Sequence, residues 1–259
     1  TRLRTVTGVQ TCALPICSGD DTLDGGTGSD TIDYSSFTSR VNVDLANQNA
    51  KVESFDQESS TFSTIETDSI SSIENVLGTN ASDILTGNDE INVLVGNDGD
   101  DTLVGGGAND TLEGSSGDDF LRGGSGDDLL KGGAGSDSAD YSTASDSVIV
   151  DLGANEASDD GDGGIDTFSS IENVIGSIGD DKLTGNDRVN TLVGGEGSDT
   201  LLGAAGNDTY AVTDAGEADV IVEGTAAGTD TVLFTSALSA EGYEFRSSAS
   251  GAAAVDGSW

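Results

Sequence analysis

Between Gly78 and Asp140 the chain repeats itself every nine residues, as GTNASDILT, GNDEINVLV, GNDGDDTLV, GGGANDTLE, GSSGDDFLR, GGSGDDLLK and GGAGSDSAD. Each unit opens with Gly, continues with small or turn-favouring residues, places an acid or amide sixth and, in all but the last, a Leu eighth. A strict short period folds by stacking, because one unit cannot bury its own apolar face. The eighth-position column is Leu85, Leu94, Leu103, Leu112, Leu121, Leu130 and Ala139, so each nonapeptide has little more than one side chain to bury. A buried Leu contributes about 1.5–3 kcal/mol. Ordering the backbone costs roughly 1–2 kcal/mol per residue, with glycine at the expensive end. Another interaction must hold the turns.

The sixth-position acids supply it. Asp101, Asp119 and Asp137 recur every eighteen residues, and Asp110 with Asp128 forms a second column offset by nine. If two nonapeptides make one coil, each column stacks along one edge of a solenoid, with layers about 4.8 Å apart. Bare carboxylates that close repel one another. A Ca²⁺ ion between successive turns removes the repulsion, since it accepts 6–8 oxygens at about 2.3–2.6 Å from carboxylates and backbone carbonyls. Glycine allows those carbonyls to turn inward.

A second array runs from Gly176 to Ala211 as GSIGDDKLT, GNDRVNTLV, GGEGSDTLL and GAAGNDTYA, with Asp181, Asn190, Asp199 and Asp208 sixth. A truncated third array, SGDDTLD followed by GGTGSDTID, carries Asp21 and Asp30. The pattern GGxGxDxUx, with U a large apolar residue, resembles the RTX (repeats-in-toxin), or hemolysin-type, calcium-binding repeat. The resemblance implies an all-β fold, a parallel β-roll (β-solenoid) in which residues one to six of each unit form a calcium-binding turn and seven to nine a short strand. It also implies several Ca²⁺ ions held by Asp83, Asp101, Asp110, Asp119, Asp128, Asp137, Asp181, Asp199, Asp208, Asp21 and Asp30. Asn92 and Asn190 stand where Asp is expected; an amide offers oxygen without charge, so weaker sites are expected there. The turn glycines Gly99, Gly106, Gly117, Gly124, Gly126, Gly133, Gly135, Gly195 and Gly197 join the expected metal-binding set.

The arrays at 18–33, 78–140 and 176–211 are joined by connectors at 34–77 and 141–175, and 212–259 forms a β-rich flank. The connectors are related: DYSSFTSRVNVDL parallels DYSTASDSVIVDL, and SSIENVLG parallels SSIENVIG. They are expected to be strand-bearing excursions of the same solenoid. The stretch from Ala46 to Thr67 shows no clear period and is expected to be a loop. GDGGIDTFS, from Gly161 to Ser169, reads as one more nonapeptide and makes Asp166 a possible ligand. Tyr141, Phe168 and Tyr210 are expected in the core or as caps.

The net charge is -39, from 48 acids against 9 Lys and Arg, and Asp outnumbers Glu 35 to 13. That charge excludes nucleic acid and anionic membrane as direct partners. Without calcium, self-repulsion should leave the repeats largely disordered. The chain has no His, which removes HExxH zinc chemistry and Ser-His-Asp triads; the sequence reads as non-catalytic. No EF-hand loop with Glu at its twelfth position is convincing. No stretch is long and apolar enough to span a bilayer.

Val6 to Ile16, VTGVQTCALPI, resembles the in-frame translation of a sequencing-library adapter, so residues 1–17 are expected to carry no fold information. Cys12 and Cys17 then need no disulfide or metal explanation. The resemblance to RTX proteins further implies export by type I secretion machinery to the extracellular space or cell surface. Two functions follow. One is a calcium-driven folding and export module of a larger secreted toxin or hydrolase; the alternative is a non-catalytic surface or adhesin-type repeat protein.

Overall fold

A computed structural model describes residues 3–5, 14–15, 20–56, 61–213, 219–223, 228–234 and 244–247. Every regular element among them is a strand. The adapter-like segment falls mostly outside these residues; two short pieces of the N-terminal stretch, Leu3–Thr5 and Leu14–Pro15, pair in parallel with Thr22–Asp24 and with Ile32–Asp33. Cys12 and Cys17 lie outside the described residues.

The chain divides into two compact units, residues 1–124 with 128–137, and residues 125–127 with 138–259. Each is a parallel β-roll built from two sheets, as the nine-residue period requires. In the nonapeptide array of the first unit the chain alternates between sheets, so a strand pairs with the strand eighteen residues on. Val93–Asp98 pairs with Thr111–Ser116, which pairs with Leu129–Ala134, and the register is Leu94 to Leu112 to Leu130. On the other sheet Leu85 sits beside Leu103. This register places identical side chains one above another, and Leu85, Leu94, Leu103, Leu112, Leu121 and Leu130 have no exposed surface. The second unit repeats the device with Leu183 beside Leu201 and Leu192 beside Tyr210.

In the middle of the first unit's array, strands are longer than the three residues expected. Thr102–Gly107, Thr111–Ser116 and Leu129–Ala134 each run six residues, taking in the opening of the next turn. Pairing continues through Ser115 to Gly133 and Ser116 to Ala134. Small residues at turn positions one to three let neighbouring layers approach closely enough for the ladder to persist.

The connectors are antiparallel meanders spliced into the rolls. In the first unit Arg40–Asp44 pairs antiparallel with Asn49–Asp56, which pairs antiparallel with Thr61–Ser71. The outer strands rejoin the roll in parallel, to Ile84–Thr86 and Thr22–Asp24. The second unit repeats this with Ile149–Asp151, Glu156–Asp159 and Asp166–Ser169. The stretch expected to be a loop, Ala46 to Thr67, therefore contributes to two strands. Its alternation was hidden because acids occupy inward positions: Glu66, Asp68 and Ile70 are buried while Ile65, Thr67 and Ser69 face out. The buried acid is accommodated by an aromatic hydroxyl, with Tyr34 donating to Asp68 at 3.1 Å. Tyr141 donates likewise to Asp166 at 2.8 Å, so the duplication preserves the pair. Tyr141, Phe168 and Tyr210 are all buried, as expected.

Leu112→Ala should remove a layer of the leucine column and lower stability at saturating calcium by about 2–5 kcal/mol, read by thermal unfolding. Ile91→Ala, at a side chain 64% exposed, should change it by less than about 0.5 kcal/mol.

Candidate metal centre

The nine-residue code becomes physical in the turns. Residues two and four of most turns have positive φ, for example Gly106 at 116°, Gly117 at 129°, Gly124 at 101° and Gly135 at 149°. Glycine adopts such angles without steric cost. Asn97, Ser115 and Ala204 occupy the second position and Ala108 the fourth, also with positive φ, so those turns are held against a local preference. The metal-binding glycines expected from sequence between 99 and 135, and again at 195 and 197, fall at these two positions.

Position one is glycine for a different reason. A Cβ at Gly96, Gly114 or Gly123 would collide with Oδ2 of Asp101, Asp119 or Asp128. The sixth-position carboxylate thus folds back under the first residue of its own turn. Its Oδ1 accepts the backbone N–H of the residue eighteen earlier: Asp83 to Asp101 at 2.7 Å, Asp101 to Asp119 at 2.8 Å, Asp119 to Asp137 at 2.9 Å, and Asp110 to Asp128 at 2.7 Å. The column predicted from spacing is therefore a column of backbone-to-carboxylate bonds. In the second unit the same bonds join Asp181 to Asp199 and Asn190 to Asp208, at 2.9 Å each.

The second oxygen decides what the column can hold. Oδ2 of Asp101, Asp110 and Asp119 is buried and has no hydrogen-bond partner. Beside Gly105, Asp110 Oδ2 and the Gly123 carbonyl oxygen lie so close together that a Cβ there would collide with both. Two acceptors meeting with no donor between them form a place for a cation, and all-oxygen donors of this kind fit Ca²⁺.

Charge and burial make the calcium-free arrangement costly. Burial, ahead of the neighbouring charges of Asp83, Asp119 and Asp100, pushes Asp101 up to about 8. Burial, with Asp128 nearby, pushes Asp110 up to about 7. Burial raises Asp119, Asp181 and Asp208 as well. Each unit of upward shift costs the ionised fold about 1.4 kcal/mol.

The expected ligands separate into two classes. Asp30 joins the first: it is buried, its Oδ2 has no partner, and its turn has positive φ at Gly26 and Gly28. Asp128, Asp137, Asp199 and Asp208 are buried in turns of the same form. The turns that open the arrays at 78–140 and 176–211 are closed by their own side chains. Asp83 Oδ2 accepts the Thr79 N–H at 2.6 Å and its Oδ1 accepts the Thr79 hydroxyl and the Val41 N–H. Asp181 does the same with Ser177 and Val148, although burial still pushes Asp83 up to about 6.

Asn92 and Asn190 are likewise complete. Asn92 Oδ1 accepts the Asn88 N–H at 2.8 Å and its amide donates to the Glu74 carbonyl at 2.8 Å. Asn190 accepts from Asn186 and donates to the Glu172 carbonyl at 2.7 Å each. An amide fits here because the adjacent layer, Ser71–Glu74 or Ser169–Glu172, turns in too few residues to offer a calcium-binding loop. Asp21 is half-buried, and its N–H is held by Asp68 at 2.9 Å.

Two further acids extend the columns. Asp219 Oδ1 accepts the Asp199 N–H at 3.0 Å and Asp230 Oδ1 accepts the Asp208 N–H at 2.9 Å. Their spacings of 20 and 22 break the eighteen-residue rule. The D-x-U order in DVI and DTV was the available signal.

Parallel rolls with glycine-rich turns and stacked, buried carboxylates define a calcium-binding β-roll. The RTX calcium-binding nonapeptide repeat family matches four segments, residues 18–36, 77–112, 104–139 and 174–210, so the chain carries RTX-type calcium-binding repeats. No curated protein matches it. The matched repeats are a binding module with no catalytic role of their own. Among the described residues no helix is long and apolar enough to cross a membrane.

The raised carboxylates fix a pH dependence. Above about pH 4 the unfolded chain is ionised, while the folded calcium-free chain retains protons up to about pH 8 at Asp101. The calcium-free fold should therefore lose stability as pH rises from about 4 to about 8. Calcium-stripped chain should show more β signal by circular dichroism at pH 5 than at pH 8. Calcium binding near pH 7 should release protons in a pH-stat titration; a pH-independent spectrum with no proton release would contradict the assignment.

Proposed function

We propose that this chain is a calcium-driven folding and export module of a larger secreted bacterial protein, such as a toxin or hydrolase. The observation that carries the reading is the set of buried carboxylate oxygens in the two columns, at Asp101, Asp110 and Asp119, left without hydrogen-bond donors. An ion bound between turns contributes only to the folded state, so calcium drives folding by mass action. Low calcium inside the cell keeps the acidic chain extended and compatible with passage through a type I exporter, and high calcium outside folds it. Asp101, Asp110, Asp119, Asp128, Asp137, Asp199 and Asp208, with the turn carbonyls, hold several ions. Asp83, Asn92, Asp181 and Asn190 bind least well, because hydrogen bonds already occupy their oxygens.

A calcium titration of residues 18–259, followed by circular dichroism, should show a coil-to-β transition that chelator reverses. An unchanged spectrum from zero to tens of millimolar would sink the proposal. Asp119→Ala removes a carboxylate that joins two layers and should move the midpoint several-fold to higher calcium. Glu156→Ala removes an exposed acid from a meander strand and should leave the midpoint within about twofold; equal shifts in both would count against the register.

A further inference from the structure

We propose that Asp160 heads a calcium site of its own, outside the nonapeptide register, which ties the tip of the second meander to the Gly126 carbonyl. Asp160 lies in the loop DGDGGI that joins the strands Glu156–Asp159 and Asp166–Ser169. It is 1% exposed. Its Oδ1 accepts three backbone N–H groups, from Asp162 at 2.9 Å, Gly163 at 2.7 Å and Gly164 at 2.8 Å. That nest would be formed equally well by an asparagine, whose side-chain oxygen accepts the same bonds.

The other oxygen needs a different explanation. Asp160 Oδ2 is buried and has no hydrogen-bond partner. It lies 2.6 Å from the place a Cβ would occupy at Gly164, and the Gly126 carbonyl oxygen faces the same place. The two oxygens are thus within about 5 Å of each other, the span of two Ca²⁺–oxygen bonds. A buried carboxylate oxygen and a carbonyl held this close, with no donor on the carboxylate oxygen, call for a cation between them. All-oxygen donors favour Ca²⁺ over softer metals.

The loop is anchored on its other side as well. Asp162 Oδ1 accepts the Ser145 N–H and hydroxyl at 3.1 Å each, and Ile165 N–H is held by Asp127 Oδ1 at 3.0 Å. Gly161 and Gly163, at φ 77° and 102°, allow the chain to wrap round the Asp160 carboxylate. The ion would clamp a segment that the nonapeptide code does not reach. Asp166, the residue singled out in this stretch by register, has instead the Tyr141 hydroxyl on its Oδ2.

The test uses the full chain, stripped of calcium and then dialysed to equilibrium at saturating calcium, with bound ions counted per chain and folding checked by circular dichroism. Asp160→Asn keeps the acceptor for the three N–H groups and removes the anionic oxygen; it should fold and bind one ion fewer. Asp162→Asn, an exposed acid in the same loop, should bind the wild-type number. An unchanged count in Asp160→Asn, or an equal loss in both variants, overturns the site. Should the Asn variant not fold, Asp160→Ser, which retains an oxygen acceptor, is read in the same way. Failure of both to fold at saturating calcium assigns Asp160 to the turn alone and also overturns it. The clamp rests on the calcium-dependent fold, but the two fail differently: a wild-type chain that never folds with calcium sinks the proposed function, whereas an unchanged ion count in a folded variant sinks the clamp alone.

Discussion

The structure depends on a divided carboxylate. At each calcium-type turn one oxygen of the sixth residue completes the backbone of the layer before it, and the other is turned into a buried space beneath a glycine. The first interaction is local in space and fixes the eighteen-residue register as firmly as the leucine column does. The second is unfavourable by itself, because burial and like charge both oppose ionisation. The leucines alone cannot offset the ordering of so many glycines, so the fold is complete only with positive charge in those spaces. A roll of this kind is stable in proportion to its supply of ions.

The arrays also contain the means of ending themselves. Turns at Gly78–Asp83, Gly87–Asn92, Gly176–Asp181 and Gly185–Asn190 place a hydrogen bond where those of Asp101, Asp110 and Asp119 leave a buried oxygen without a donor. Each such pair opens an array and follows the short turn of an SSIEN segment. A bare carboxylate there would face a neighbour unable to contribute a loop. Threonine, serine and asparagine satisfy the group locally, and the ion stack starts one layer later.

Much of this was legible in the chain. The period gave the parallel register, the buried column and the acid columns, because a solenoid turns equal sequence spacing into equal spatial spacing. The two asparagines at matching places of the arrays marked a change in the turn, although the physical content, an amide spanning to the Glu74 or Glu172 carbonyl, needed coordinates. Other features were hidden for identifiable reasons. Glu66 and Asp68 point inward and masked the alternation of their strand. Asp219 and Asp230 lie past insertions that break the period while leaving the stack intact. Asp160 precedes the glycine that opens its pseudo-repeat, so no register singled it out.

The central claim is that the stacked carboxylates hold their layers only when calcium is present. Residue-resolved amide hydrogen exchange tests it most directly, at the N–H groups of Asp83, Asp101, Asp110 and Asp119, each held by the carboxylate of the next layer. The account predicts strong protection at all four in millimolar calcium at pH 7.5 and its joint loss in chelator. Equal protection in the two conditions would show that the layers stand without the ion and would contradict the account.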